Sequence, residues 1–96
     1  MSNAKKKNAR EIEFRGENFA VDAAAMKSMK VQRALALMDK DAQRGYWALD
    51  KLFCGDLDGV LDRVPEADGT VSELGASDDA FAALLEVVVA ELAAKN

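Results

Sequence analysis

The chain is 96 residues long, with 50% hydrophobic and 31% charged residues and a formal net charge of −4 at pH 7. This length fits one domain. A single cysteine and no histidine exclude a disulfide framework within the chain, a Cys/His zinc site and catalytic triads built on histidine. The composition therefore disfavours most enzymes, and we expect no metal or other cofactor.

Charge is unevenly divided along the chain. Residues 1–48 hold ten lysines or arginines against six acids, and residues 49–96 hold three against eleven, so the halves carry +4 and −8. The dense basic run at residues 5–7 with Arg10 has no interleaved aromatic residue, which argues against a nucleic-acid platform. We therefore predict a flexible basic arm over residues 1–10, a single domain over residues 11–96, and self-association between opposed charges.

The hydropathy pattern argues against a membrane partner. The longest uncharged stretch, residues 80–85, is far shorter than the ~20 apolar residues that cross a bilayer. No charged start followed by an apolar run marks a secretory signal. We expect a cytoplasmic protein.

Two segments of alternating polarity predict an N-terminal β-hairpin. Ile12 and Phe14 alternate with charged residues, and Phe19 and Val21 alternate with Asn, Ala and Asp. Gly16 suits the first central position of a type II′ turn, which requires positive φ. This turn pairs Phe14 with Phe19 and Ile12 with Val21, which places all the apolar side chains on one face.

The rest of the chain has the periodicity of about four helices. The predicted helices cover residues 23–38, 42–53, 57–64 and 77–95. The first begins near residue 23 or near Ser28, and an Asp within residues 39–41 opens the second. The second has an inner row of Ala42, Tyr46, Leu49 and Phe53, and Pro65 closes the third. The fold class is therefore mainly α (α+β), a hairpin followed by helices.

The last predicted helix starts at Ser77, a suitable N-cap, and has unusually broad apolar surface. Val87, Val88 and Val89 widen that surface beyond a single stripe. A helix with this pattern is buried on more than one side or docks a partner. We take the three valines as candidate partner-binding residues.

A basic and aromatic row on the second helix is the other candidate interaction site. Lys40, Arg44, Trp47 and Lys51 are predicted to share one face. If this face is exposed, Trp47 lies among cationic side chains and can anchor a partner protein, since Trp and Arg are enriched at binding hot spots. The alternative is that Trp47 packs on the hairpin or on the last predicted helix and that the lysine stems cover it.

Residues 74–78 resemble the stretch of acyl carrier proteins in which a serine at a helix N-terminus receives phosphopantetheine. The order around Ser77 departs from that family, since Asp78 and Asp79 follow the serine, and the chain ends nineteen residues later. A plain N-cap is the competing interpretation of Ser77.

Residues 12–22 resemble the opening of the small tail assembly chaperones of long-tailed bacteriophages. Those proteins often begin with an apolar strand, a glycine turn and a second aromatic strand. They end in an acidic, alanine-rich helix, as residues 77–95 do here. The resemblance implies a non-enzymatic protein of the bacterial host cytoplasm that binds the tape-measure protein and assists polymerisation of the tail-tube protein. The alternative is a small acidic carrier or regulatory module, acyl-carrier-like or antitoxin-like.

Overall fold

The computed structural model describes residues 9–94, together with all their side chains except that of Ala94. The elements are β1 Ala9–Phe14, β2 Glu17–Asp22, α1 Ala23–Met26, α2 Met29–Ala36, α3 Ala42–Leu52, α4 Leu57–Leu61 and α5 Asp78–Ala94. The predicted α+β class, a hairpin followed by helices, is confirmed. Most of the predicted basic arm lies outside the described residues, although its last two residues, Ala9 and Arg10, belong to β1.

The hairpin turn differs from the predicted one. Arg15 and Gly16 occupy its central positions with φ of 52° and 87°, and two positive φ values define a type I′ turn rather than type II′. Arg15 is fixed in this uncommon conformation by its own side chain. Its guanidinium carbon lies 4.6 Å from the centre of the Phe14 ring, and Nη1 donates to the carbonyl oxygen of Pro65 at 2.9 Å.

The strand register is consequently shifted by two residues from the prediction. Phe19 lies opposite Ile12 instead of Phe14, and Val21 lies opposite Arg10 instead of Ile12. Because side chains alternate between the two faces, an even shift leaves every residue on its predicted face. All four apolar residues are accordingly buried on the inner face of the hairpin.

Side-chain caps fix the starts of four helices. Asp22 accepts the backbone N–H two residues further on at 2.9 Å. Ser28, Asp41 and Ser77 each accept the N–H three residues further on, at 3.1–3.2 Å. Both alternative starts of the first predicted helix therefore exist, which makes it two helices, α1 and α2. The predicted start at Ser77 is confirmed, and of the two aspartates within residues 39–41 it is Asp41 that opens α3.

The core lies between the inner face of the hairpin and helices α3, α4 and α5. Its largest fully buried side chains are Phe19, Val21, Leu52, Phe53, Val60, Val64, Leu84 and Val88. Arg63, just after α4, covers the Phe19 ring at 4.8 Å and donates to the carbonyl oxygen of Asn18 at 3.0 Å. The hairpin is thus held to the end of α4 as well as to the helices.

A second, smaller cluster joins α1, α2 and α3. Ala25, Val31, Ala34 and Ala48 are its buried members, and Leu35 and Trp47 pack against it. Because Ala34 of α2 and Ala48 of α3 are both buried in this cluster, these two helices approach closely with little side chain between them.

The predicted inner row of α3 is half right. Leu49 and Phe53 are buried, whereas Tyr46 is 55% exposed and Ala42 is exposed as well. Gly45, Ala48 and Leu52 are the further buried residues of this helix. Gly45 lies inside because Met38, in the turn before α3, fills the space where a side chain would stand.

Candidate protein-binding surfaces

An open apolar groove lies between α3, α4 and α5, and we call it the Tyr46 groove. It encloses about 350 Å³. Its apolar walls are formed mainly by Met38, Tyr46, Leu57, Leu61, Phe81 and Leu85. Ser77 and Asp78 contribute polar atoms at the end where α5 begins. The groove therefore offers an apolar surface with a negatively charged edge.

Two aromatic side chains give this groove its form. Tyr46 is held out from α3 by the inward position of Gly45, its neighbour in the chain. Phe81 rests on the buried Phe53 with ring centres 5.9 Å apart and ring planes inclined by 48°, a tilted aromatic pair. The groove is thus built on a rigid floor, and Tyr46 is its most exposed aromatic wall.

A second groove, which we call the Trp47 groove, lies between α2 and α3. It encloses about 500 Å³ and is lined by Lys30, Arg33, Asp41, Gln43, Arg44 and Trp47. The Lys30 ammonium lies 5.2 Å from the centre of the Trp47 ring, within cation–π range. Nε of Arg44 lies 3.7 Å from a carboxylate oxygen of Asp41. Three cations therefore face one carboxylate.

The structure brings together only part of the predicted basic row. Arg44 and Trp47 line the Trp47 groove, whereas Lys40 and Lys51 are exposed and lie outside it. Trp47 itself is half-buried, with contacts to the alanine-rich cluster and a share of the groove wall. Trp47 therefore packs on the alanine-rich cluster rather than on the core that contains the hairpin and α5. Its role as an interaction anchor stays a prediction.

Lys30 and Arg33 are groove residues that the sequence analysis did not select. They lie three residues apart on α2, so they share a face of that helix. Lys30 and Arg33 come close to Trp47 only because α2 packs against α3. In the sequence, the alanines that allow this packing are the only sign of it.

The three valines of α5 do not form one surface. Val88 is fully buried in the core, Val87 is half-buried against it, and Val89 is 47% exposed. Val89 lines a separate groove of about 120 Å³ beside Met26. The prediction of Val88 as a contact residue is wrong, because no surface of its side chain is available. The apolar groove of α5 is made by Phe81 and Leu85.

Ser77 joins the long loop before α5 to the start of that helix. Its hydroxyl donates to Glu66 at 2.6 Å, and its N–H donates to the other oxygen of that carboxylate at 3.0 Å. The hydrogen bond from the hydroxyl, followed by that from the N–H, lowers the pKa of Glu66 below its ordinary value of 4.5. Since the hydroxyl also accepts from the N–H of Ala80, Ser77 acts as a structural cap.

Within residues 9–94, no cluster of three or more Cys, Asp or Glu side chains is arranged to hold a metal ion. No helix in this range combines the length and hydropathy required to span a membrane. Comparison of the chain with protein-family models, curated proteins and solved structures gave no match.

Proposed function

We propose that this protein is a tail assembly chaperone of a long-tailed bacteriophage or prophage. It binds helical segments of the tape-measure protein in the bacterial cytoplasm and assists polymerisation of the tail-tube protein around them. The observation that carries the proposal is the Tyr46 groove, an apolar channel that is open to solvent. The resemblance of residues 12–22 and of the acidic last helix to that family supplies the identity of the partner.

The Tyr46 groove has the properties of a helix-binding groove. Amphipathic helices dock their apolar stripe, spaced at i, i+3, i+4 and i+7, into channels of this kind. Burying apolar surface contributes about 25 cal/mol per Å², so covering the groove favours the complex. Tyr46, with 55% of its surface exposed and a rigid ring, is the side chain best placed to act as a hot spot.

Charge suits the same role. The half of the chain that forms α4 and α5 carries −8, and Asp78 and Asp79 are exposed at the start of α5. A net charge far from zero keeps a protein soluble while it covers an apolar partner. The binding surface and the solubilising charge therefore lie on the same helices.

Co-purification with segments of the tape-measure protein tests the proposal. The partner is the product of the very long gene expected immediately downstream, expressed as helical segments together with the full chain. Tyr46→Asp puts a charge into the groove at an exposed position, and we expect about a tenfold loss of bound segment. Val89→Asp is the matched control, because it places the same charge at an exposed apolar site of α5 outside the groove.

Two results would contradict the proposal. Retained binding by Tyr46→Asp with loss by Val89→Asp would move the site away from the groove. Failure of every tape-measure segment to bind the wild-type chain would remove the chaperone function itself. Far-UV circular dichroism of each variant separates loss of binding from loss of fold.

A further inference from the structure

We propose that the Trp47 groove is a second docking site, which binds an acidic helical segment of a partner protein. In this complex, carboxylates of the segment pair with Arg33, Arg44 and Lys30, and an adjoining apolar side chain packs on Trp47. The inference does not depend on the proposed function, because it uses a different face of the molecule and a different chemistry.

The cations of this groove are only partly neutralised. Asp41 is the one carboxylate among the lining residues, and it pairs with Arg44. Within residues 9–94, neither Lys30 nor Arg33 has a carboxylate at ion-pair distance. The lining therefore carries a charge of +2 within a chain whose net charge is −4. Guanidinium groups bind carboxylates through two parallel hydrogen bonds, which makes arginine the residue best suited to this recognition.

Trp47 supplies a fixed apolar platform beside these charges. One part of its ring is held by the small residues of the alanine-rich cluster, so it loses little freedom on binding. The Lys30 ammonium lies 5.2 Å from the ring centre and is carried by a flexible stem. It can turn towards an incoming carboxylate while the arginines hold the rest of the segment.

The lining favours a protein segment over nucleic acid. Trp47 is the one aromatic residue of the groove, whereas single-strand platforms stack successive bases on several aromatic rings. Two neighbouring helices form the walls, and a third helix with glutamates at i and i+4 presents its charges along one side to such a channel.

Trp47 fluorescence tests the inference directly, because it is the only tryptophan in the chain. The probe is an alanine-based helical peptide with glutamates at i, i+4 spacing and one leucine, and the control peptide carries glutamine in place of glutamate. We expect the acidic peptide to bind saturably and the glutamine control peptide not to bind. Arg33→Gln should weaken it about tenfold, and Lys51→Gln, which removes the same charge from α3 outside the groove, should change it less than about twofold.

Other outcomes would overturn the inference. Equal weakening by Arg33→Gln and Lys51→Gln would show general charge attraction, and no saturable signal with the acidic peptide would show that the groove is not a site. Competition by a single-stranded oligonucleotide with the same dependence on Arg33 would identify a nucleic-acid site. A salt-sensitive dimer in sedimentation that Arg33→Glu abolishes would identify a second copy of this chain as the occupant. The Tyr46→Asp variant should bind the acidic peptide normally, which separates this test from that of the proposed function.

Discussion

Replacing Gly45 by alanine should destabilise the protein, although alanine is the better helix former. Gly45 is buried in α3, and a Cβ at this position would stand 2.8 Å from Cβ of Met38 and closer still to its Cγ. Cβ of Met38 is bonded directly to the backbone, so no rotation of the side chain moves it away. Rotation about χ1 can move Cγ but leaves the contact with Cβ in place.

The expected magnitude follows from two opposed effects. Alanine in place of glycine in a helix interior favours folding by about 1 kcal/mol. Overpacking a filled site costs about 1–3 kcal/mol, and the position of the colliding atoms places this site at the upper end. The net loss in unfolding free energy is therefore about 2 kcal/mol, which lowers the melting temperature of a domain of this size by about 8–16 °C.

A double-mutant cycle isolates the contact. In a Met38→Gly background the collision is absent, so Gly45→Ala should then stabilise the protein by about 1 kcal/mol, which gives a coupling energy of about 3 kcal/mol. Urea unfolding followed by far-UV circular dichroism and by Trp47 fluorescence measures all four proteins. A stabilising effect of Gly45→Ala in the wild-type chain, or the same effect in both backgrounds, would refute the reasoning.

Substitutions at three further positions test local features. Gly16→Val should lower the unfolding free energy by about 1 kcal/mol or more, because a β-branched residue resists the φ of 87° at this position. Gly16→Asn should lower it less, since asparagine tolerates positive φ. A melting temperature of the valine variant equal to that of the wild type would contradict the assigned turn. Ser77→Ala should cost about 1 kcal/mol in urea unfolding through loss of the cap of α5, and an unchanged midpoint would show that the cap adds nothing. Because the pKa of Glu66 is lower in the folded than in the unfolded protein, its stabilisation is present above pH 4.5 and is lost as the pH falls through the folded value. Glu66→Gln should therefore reduce the loss of stability below about pH 5 in a series of urea titrations, and an identical pH profile would exclude this carboxylate as a cause.

Rules that act over three or four residues predicted much of the fold. A polar side chain that can accept a backbone N–H is recognisable at Asp41 and Ser77 without tertiary information, so the starts of α3 and α5 were predictable. The hairpin turn shows the limit of such rules. Gly16 can supply positive φ at the first central position of a type II′ turn or at the second central position of a type I′ turn. The choice between these two turns depends on Arg15, whose side chain reaches Pro65 fifty residues away.

The candidate sites were less predictable, for two physical reasons. A periodicity based on apolar side chains assigned Tyr46 to the inside of α3 and overlooked Gly45, which lies inside because it has no side chain. The Trp47 groove combines residues of two helices, and the sequence contains no direct record of which faces meet. The valine run shows a different limit. Successive residues on a helix point about 100° apart, so the run predicts a broad apolar surface without showing which of the three valines stays exposed.

The contacts that hold the hairpin have a consequence for the order in which the protein is made. β1 and β2 are synthesised well before Arg63 and Pro65, which bond to β2 and to the hairpin turn, and before α5, which packs on β1. A two-stranded hairpin alone is marginally stable in water, and its inner face carries Phe14 and Phe19. These rings therefore stay without their full native cover until α5 has been synthesised, and the hairpin completes its packing only then.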